Sequence, residues 1–256
     1  MQKKLINMNL ELNSRVALIT GSSRGIGRAL AIGYAKNGYK VVVNYNHSEK
    51  EANEVISQIQ EFGGVAIACK ADVSERKDVI KLKEVILKEF GKLDILINNA
   101  GINRQKSFWE IDDEEWDYLM KVNLKSVYIC SQEFMPLMIE NKWGRIINMS
   151  SVSGEYGGPK TLHYAASKGA IISLTKGLAR YGAPHVLVNA IDPGIIKTEM
   201  TEKELEGKSG QEYLEKILLK KAGNMNDILE TCLYLSSENQ NYTTGHTIRV
   251  NGGLYI

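Results

Sequence analysis

Val16-Ala17-Leu18-Ile19-Thr20-Gly21-Ser22-Ser23-Arg24-Gly25-Ile26-Gly27 is the stretch from which the rest of the chain can be organised. Four uninterrupted apolar residues suit a strand covered on both faces, and a glycine-bearing turn carries it straight into an amphipathic segment. At such a junction the first N–H groups of the helix and its dipole favour an anion. Glycines there let the backbone come close to a pyrophosphate. The position on the first strand–helix junction matters more than the glycines, which any tight turn can use. The spacing, TGxxxGxG, differs from the GxGxxG of most dinucleotide-binding loops.

The same alternation continues to the C-terminus. Strands are expected at Val16–Thr20, Val41–Asn44, Val65–Cys69, Ile95–Asn98, Ile146–Met149, Val186–Ile191 and Thr247–Val250. Helices are expected at Gly25–Asn37, Glu49–Phe62, Glu75–Phe90, Asp113–Asn141, Leu162–Tyr181 and Asn226–Ser236. Ser48 with Glu51 and Asp112 with Glu115 have the spacing of capping boxes; Ser74 suits the start of the third helix and Gly91 its end. Strict β–α alternation implies parallel strands joined by right-handed crossovers. The fold class is therefore α/β, a doubly wound Rossmann-like parallel sheet of about seven strands with helices on both faces. No linker or low-complexity tract interrupts it, so 1–256 reads as a single domain, with 1–13 as an N-terminal extension. Residues 201–221, amphipathic and broken by Gly207 and Gly210, read as a substrate flap, because ligands of such sheets bind beyond the carboxyl ends of the strands.

Composition narrows the function. A net charge of +2, spread evenly, argues against nucleic acid. No apolar run approaches the roughly 18 residues of a membrane span, and 1–13 lacks a signal-peptide core, so a cytoplasmic protein is expected. Cys69, Cys130 and Cys232 are widely spaced in apolar surroundings. They read as reduced core residues, and no metal site is expected.

The end of the second strand bears on the cofactor. A carboxylate there would hold the ribose 2′-hydroxyl of NAD. Here the run is Val43-Asn44-Tyr45-Asn46-His47, with no acid before Glu49, while Arg24 stands in the loop where it can attract a 2′-phosphate. NADP(H) is favoured over NAD(H). Asp72, after the third strand, suits either an adenine amino group or a turn ahead of Ser74.

Tyr followed four residues later by Lys occurs twice, at Tyr156/Lys160 and at Tyr164/Lys168. Gly157, Gly158 and Pro159 bar the first from a helix. The second opens a long helix and puts both side chains on one face. An ammonium beside a phenol favours the phenolate and lowers a pKa that is otherwise near 10. Ser151, at the end of the fifth strand, suits a hydrogen bond to a carbonyl oxygen on which charge develops, whereas Ser150 and Ser153 read as turn residues.

From about Ser14 to Gly253 these features resemble the short-chain dehydrogenase/reductase family. They occur in order as Thr20–Gly27, Asp72, Asn98-Asn99-Ala100-Gly101, Asn123, Ser151, Tyr164 with Lys168, and Pro193-Gly194. The resemblance implies Tyr164 as acid–base, Ser151 as carbonyl orienter, Lys168 as pKa modulator and ribose ligand, and Asn123 as holder of a relay water. It implies cofactor contacts from Gly21, Ser23, Arg24, Gly25, Ile26, Gly27, Asn44, Asp72 and Val73. Further along the chain these continue through Asn99, Ala100 and Gly101 to Pro193, Gly194, Ile196 and Thr198.

Within the family the chain is most similar to the β-ketoacyl-acyl-carrier-protein reductases, on Gly144–Ser151 and Thr244–Gly253, so a 3-oxoacyl thioester is the expected substrate. The runs Tyr181–His185 and Ala222–Asn226 depart from that subgroup and count against docking on an acyl carrier protein. A sugar-derived or other polar metabolite is the alternative substrate, and a non-catalytic nucleotide-binding protein the alternative class. The resemblance also implies a homotetramer built on the fourth and fifth helices, with Trp116, Leu119, Met120, Val127, Phe134 and Met138 serving either that interface or the core.

Overall fold

The computed structural model describes residues 15–158, 160–198, 201 and 205–256. The N-terminal extension and part of the expected flap lie outside them. One seven-stranded sheet runs through the protein in the order β3-β2-β1-β4-β5-β6-β7, every pair parallel. Its strands are β1 (Val16–Ile19), β2 (Lys40–Tyr45), β3 (Ala66–Lys70), β4 (Ile95–Asn98), β5 (Gly144–Met149), β6 (Val186–Pro193) and β7 (Thr247–Val250). Between them lie α1 (Gly25–Lys36), α2 (Glu49–Glu61), α3 (Arg76–Phe90), α4 (Asp113–Met120), α5 (Ser126–Glu140), α6 (Ser153–Tyr156), α7 (Leu162–Gly182), α8 (Gly207–Leu214) and α9 (Met225–Ser236).

Alternation along each strand feeds two cores. Ala17 and Ile19 face Leu30, Val55 and Ile228, on α1, α2 and α9. Val16 and Leu18 face Val79, Phe134 and Ala179, on α3, α5 and α7. Burial on both faces is why these strands are almost wholly apolar. A polar line crosses the second core. Asn98 Nδ2 donates to Asn148 Oδ1 (2.8 Å), and Asn148 Nδ2 donates to Thr175 Oγ1 (2.9 Å). These buried bonds tie α7 to β4 and β5 at one height, which sets where the residues of α7 meet the strand ends. Chain order reverses between β1 and β4, so a crevice opens at their carboxyl ends, the usual ligand site of such sheets.

Several local expectations are corrected. The helix expected over Asp113–Asn141 is three elements, because a π-helical turn, Lys121–Lys125, separates α4 from α5. Ser126 N–H donates to Lys121 O, and the Ser126 hydroxyl donates to Val122 O (2.6 Å). Ser48 makes no side-chain capping bond. At Asp112 only half a box forms: its carboxylate accepts from Glu115 N–H (2.7 Å), while Glu115 itself turns to Arg104 (2.9 Å). Ser74 donates to Asp72 (2.7 Å) rather than capping α3, whereas Gly91 ends that helix in the left-handed conformation as expected. The cysteines are free and buried, and burial pushes the thiol pKa up to about 11 at Cys69 and about 12 at Cys130. Leu119, Val127, Phe134 and Met138 belong to the core of the chain itself. Among the described residues no helix is long and apolar enough to cross a membrane, and no group of acidic, His and Cys side chains is placed to hold a metal.

Candidate active site

The turn after β1 is held from both neighbouring strands. Thr20 Oγ1 accepts from the N–H groups of Asn99 (3.0 Å) and Ala100 (2.9 Å), and Asn99 Nδ2 donates to Thr20 O (2.9 Å). On the other side Gly21 N–H donates to Asn44 Oδ1 (3.1 Å), and Asn44 Nδ2 donates to Ala71 O (3.1 Å). Asn44 is thus buried and committed to the loop's frame. Gly27 is demanded by close approach, since a Cβ there would lie 2.5 Å from Gly21 O. Gly25 differs: it adopts φ +56° and a Cβ there would meet nothing within 4 Å. Space is therefore open beside Gly25 at the N-terminus of α1, where the helix amides and dipole favour an anionic phosphate. Ser23 is buried, Ile26 packs on the first core, and Arg24 stands exposed at the rim with no ion pair among the described residues. The residues present fit a dinucleotide.

Asp72 Oδ1 accepts from both the N–H (2.9 Å) and the hydroxyl (2.7 Å) of Ser74, the turn geometry, and these bonds hold its pKa down against burial. Val73, buried, follows it. Beyond β6, Gly194 N–H donates to Val250 O (3.0 Å) and Ile196 bridges to Gly223. Thr198 and Thr201 bond each other through backbone and hydroxyl, closing that loop.

Tyr164 and Lys168 open α7 one turn apart, with Lys168 Nζ 5.6 Å from the phenol ring centroid. Lys168 is buried and donates to Met149 O (2.7 Å); Ser151 stands beyond Met149, near enough to the Tyr164 phenol for its hydroxyl to lower the phenol pKa. Ser151 is itself held by an acceptor role, taking the Ser153 N–H (3.2 Å). The structure brings Ser151, Tyr164 and Lys168 together. Burial raises the Tyr164 pKa, the Ser151 hydrogen bond opposes this, and Asp192 adds to the rise. This differs from the expected lowering, because burial acts on the phenol more strongly than the Ser151 hydroxyl does. Burial also lowers the Lys168 pKa to about 8, against an opposing pull from Asp192.

Asn123 sits in the π turn. Its Oδ1 accepts from Ile102 N–H (2.8 Å), while its Nδ2 donates to Ile102 O (2.9 Å) and Ser167 Oγ (3.2 Å). The Ser167 hydroxyl in turn donates to Tyr164 O (2.7 Å). Asn123 therefore ties the Gly101 loop to α7, and its side chain is taken up by protein groups. A Cβ on Gly101 would lie 3.3 Å from Asn123 Oδ1 and 3.6 Å from Lys168 Nζ, so the loop passes close over both.

The other Tyr/Lys pair is dispersed. Tyr156 ends the single turn of α6, Gly157 reverses the chain at φ +77°, and both Tyr156 and Lys160 are exposed. Sequence reasoning missed Asp192, a wholly buried acid on β6. Its signal was an ionisable residue at the end of an otherwise apolar strand. It also missed buried His163, whose Nε2 lies 3.8 Å from Glu115.

Comparison with known proteins agrees with this geometry. Residues 15–209 match the family model described as short chain dehydrogenase. The chain is 40% identical to the 3-oxoacyl-(acyl-carrier-protein) reductase FabG of Staphylococcus aureus over 95% of its length and 99% of the relative's. It is 39% identical to the 3-oxoacyl-(acyl-carrier-protein) reductase of Synechocystis, over 96% of this chain and 98% of that one. A Sinorhizobium meliloti protein, whose crystal structure is described as that of a short-chain alcohol dehydrogenase, superposes with a TM-score of 0.88 at 34% identity. That match covers 94% of this chain and 96% of the other.

Proposed function

We propose that this chain, an oxidoreductase that belongs to the short-chain dehydrogenase family, reduces a 3-oxoacyl thioester to the 3-hydroxyacyl product with NADPH. The convergence of Ser151, Tyr164 and Lys168 at the carboxyl ends of β5 and β6, beside the phosphate loop, carries this reading. Bound NADPH supplies the hydride. Ser151 donates a hydrogen bond to the carbonyl oxygen, and Tyr164 gives that oxygen a proton as negative charge develops on it. The phenol, whose pKa burial raises, is protonated at neutral pH, the form that gives up the proton in reduction. Lys168 offsets the charge on the phenolate left behind until it takes a proton from solvent. Asn123 fixes the loop over the site through Ile102.

Preference for NADPH rests on Arg24, exposed at the loop rim, and on the lack of an acid at Asn44–His47. Asn44 reaches the cofactor only through the loop it holds, and Asp72 with Val73 lines the adenine end. Residues 201–221, of which Leu218 and Leu219 are exposed, would serve as the substrate flap. Pairing of the exposed faces of α5 and α7, where Tyr128 is exposed, would build the tetramer. The departures at 181–185 and 222–226 support a second substrate class, a polar ketone not carried on a protein.

Absorbance of NADPH, followed across 3-oxoacyl thioesters, keto sugars and simple ketones, tests the substrate class; fastest turnover of a thioester is expected, and none at all overturns it. Arg24→Ala is expected to weaken NADPH binding about 10-fold to 30-fold while barely changing NADH. Equal losses for the two would remove Arg24 from the 2′-phosphate.

A further inference from the structure

Beneath Tyr164 and Lys168 lies a carboxylate that neither the expected mechanism nor the scaffold uses. Asp192 sits near the end of β6 with no exposed surface. Register fixes its surroundings. The Met149–Ile191 pairing continues through Ser150 N–H donating to Ile191 O (2.8 Å), and Val152 N–H donating to Pro193 O (3.0 Å). Ser150, just past the end of β5, therefore stands opposite Asp192, with Arg249 opposite it on β7. Parallel partners in register share a sheet face, and that face is the one α7 covers. The Ser150 hydroxyl donates to Lys168 O (2.9 Å), which places the Lys168 segment directly over it.

Four charged or titratable groups are coupled electrostatically to Asp192. Lys168 and Tyr164 come from α7, Glu155 from α6, and Arg249 from β7. Two of them are occupied with each other, since Arg249 Nε donates to Glu155 Oε2 (2.5 Å). Lys168 Nζ is the other cation of the four, and among the described residues its one hydrogen bond is to the Met149 carbonyl, a neutral acceptor. Among the described residues neither oxygen of Asp192 completes a hydrogen bond at normal geometry, although the Ser151 backbone N–H is near enough to favour its ionised form. A buried acid left in this state is costly, and an alanine would remove the cost. What it does provide is negative charge behind a buried ammonium.

We propose that Asp192 is a positioning residue of the proton-transfer site, its carboxylate holding Lys168 as the ammonium and Tyr164 as the phenol. The proposal rests on the functional reading above and assigns Asp192 no contact with substrate. Burial drives its pKa up to about 7, helped by Glu155 and opposed by Arg249 and Lys168, while Lys168 falls to about 8. Between those values both groups are charged and the lysine is held in its working form. Loss of the carboxylate lets Lys168 and Tyr164 lose their protons at lower pH.

Two measurements test this. In the full-length protein labelled with 13C at the aspartate Cγ, the Asp192 signal, identified by its loss in Asp192→Asn, is expected to titrate near neutrality. Lys168→Met should move that midpoint up by about one pH unit or more, because the neighbouring cation is gone. A midpoint in the ordinary carboxylate range, or one that Lys168→Met leaves in place, overturns the proposal without reference to turnover. The second measurement is the pH profile of kcat/KM for Asp192→Asn with NADPH and acetoacetyl-coenzyme A. Its alkaline limb is expected about one pH unit below that of the wild type. A uniform loss of rate with the limb unmoved would mean a merely structural role and overturn the proposal. Should the wild type reduce no carbonyl probe, the functional reading fails, and the NMR coupling still decides the role of Asp192.

Discussion

Tyr156 and Tyr164 stand eight residues apart, each followed four residues later by a lysine, yet the two stretches share nothing else. Tyr156 is two-thirds exposed at the end of a one-turn helix, and Gly157 turns the chain away from Lys160. Tyr164 opens a helix of 21 residues that is tied to the sheet through Thr175 and Asn148, with Ser151 at its hydroxyl and Lys168 along its ring. Spacing is a property of the chain. A reacting pair is a property of packing: the ammonium acts only where burial strips its water and the helix fixes its distance.

The comparison can be pushed until it breaks. Lys168→Met should lower kcat about 100-fold to 1,000-fold, against less than twofold for Lys160→Met, in NADPH oxidation at saturating substrate. Ser151→Ala should lower kcat about 100-fold with little change in cofactor affinity, whereas Ser153→Ala, one of the serines read as turn residues, should leave kcat within about twofold. Similar losses in the two members of either pair would erase the distinction drawn here.

The smallest effect concerns what lies under each tyrosine. Tyr156 packs on the Tyr255 ring, while Tyr164 has the buried Asp192 beneath its lysine. A carboxyl whose folded pKa is about 7 lies above its unfolded value near 4, so its favourable contribution is complete below pH 4 and is lost as pH rises through 7. Ionised Asp192 thus destabilises the protein at pH 8. Asp192→Asn should raise Tm there by about 5 °C and change it little at pH 5, by calorimetry. A pH-independent difference would contradict a buried, titrating acid.

Most of the fold was legible because strands buried on both faces leave continuous apolar runs, and Val16–Ile19, within the expected Val16–Thr20, is one. The phosphate loop was legible because it is local: its glycines, its strand and its helix are contiguous. What escaped depends on distant partners. The π turn at Lys121–Lys125 lies in a segment whose helical pattern is continuous, and only the fit of Asn123 between Ile102 and Ser167 marks it out. The Ser48 box failed because backbone geometry, not residue type, aims a capping hydroxyl. Asp192 escaped because its neighbours come from β5, β7, α6 and α7, and no short stretch contains them.

One measurement reaches the centre of these claims: single-turnover oxidation of NADPH by a 3-oxoacyl thioester in Tyr164→Phe beside Tyr156→Phe, with NADPH binding followed by its fluorescence. Tyr164→Phe is expected to bind NADPH as the wild type does and to react about 1,000-fold more slowly or worse, while Tyr156→Phe stays within twofold. Turnover retained in Tyr164→Phe, or lost equally in Tyr156→Phe, would contradict a reaction centred on the tyrosine that opens α7.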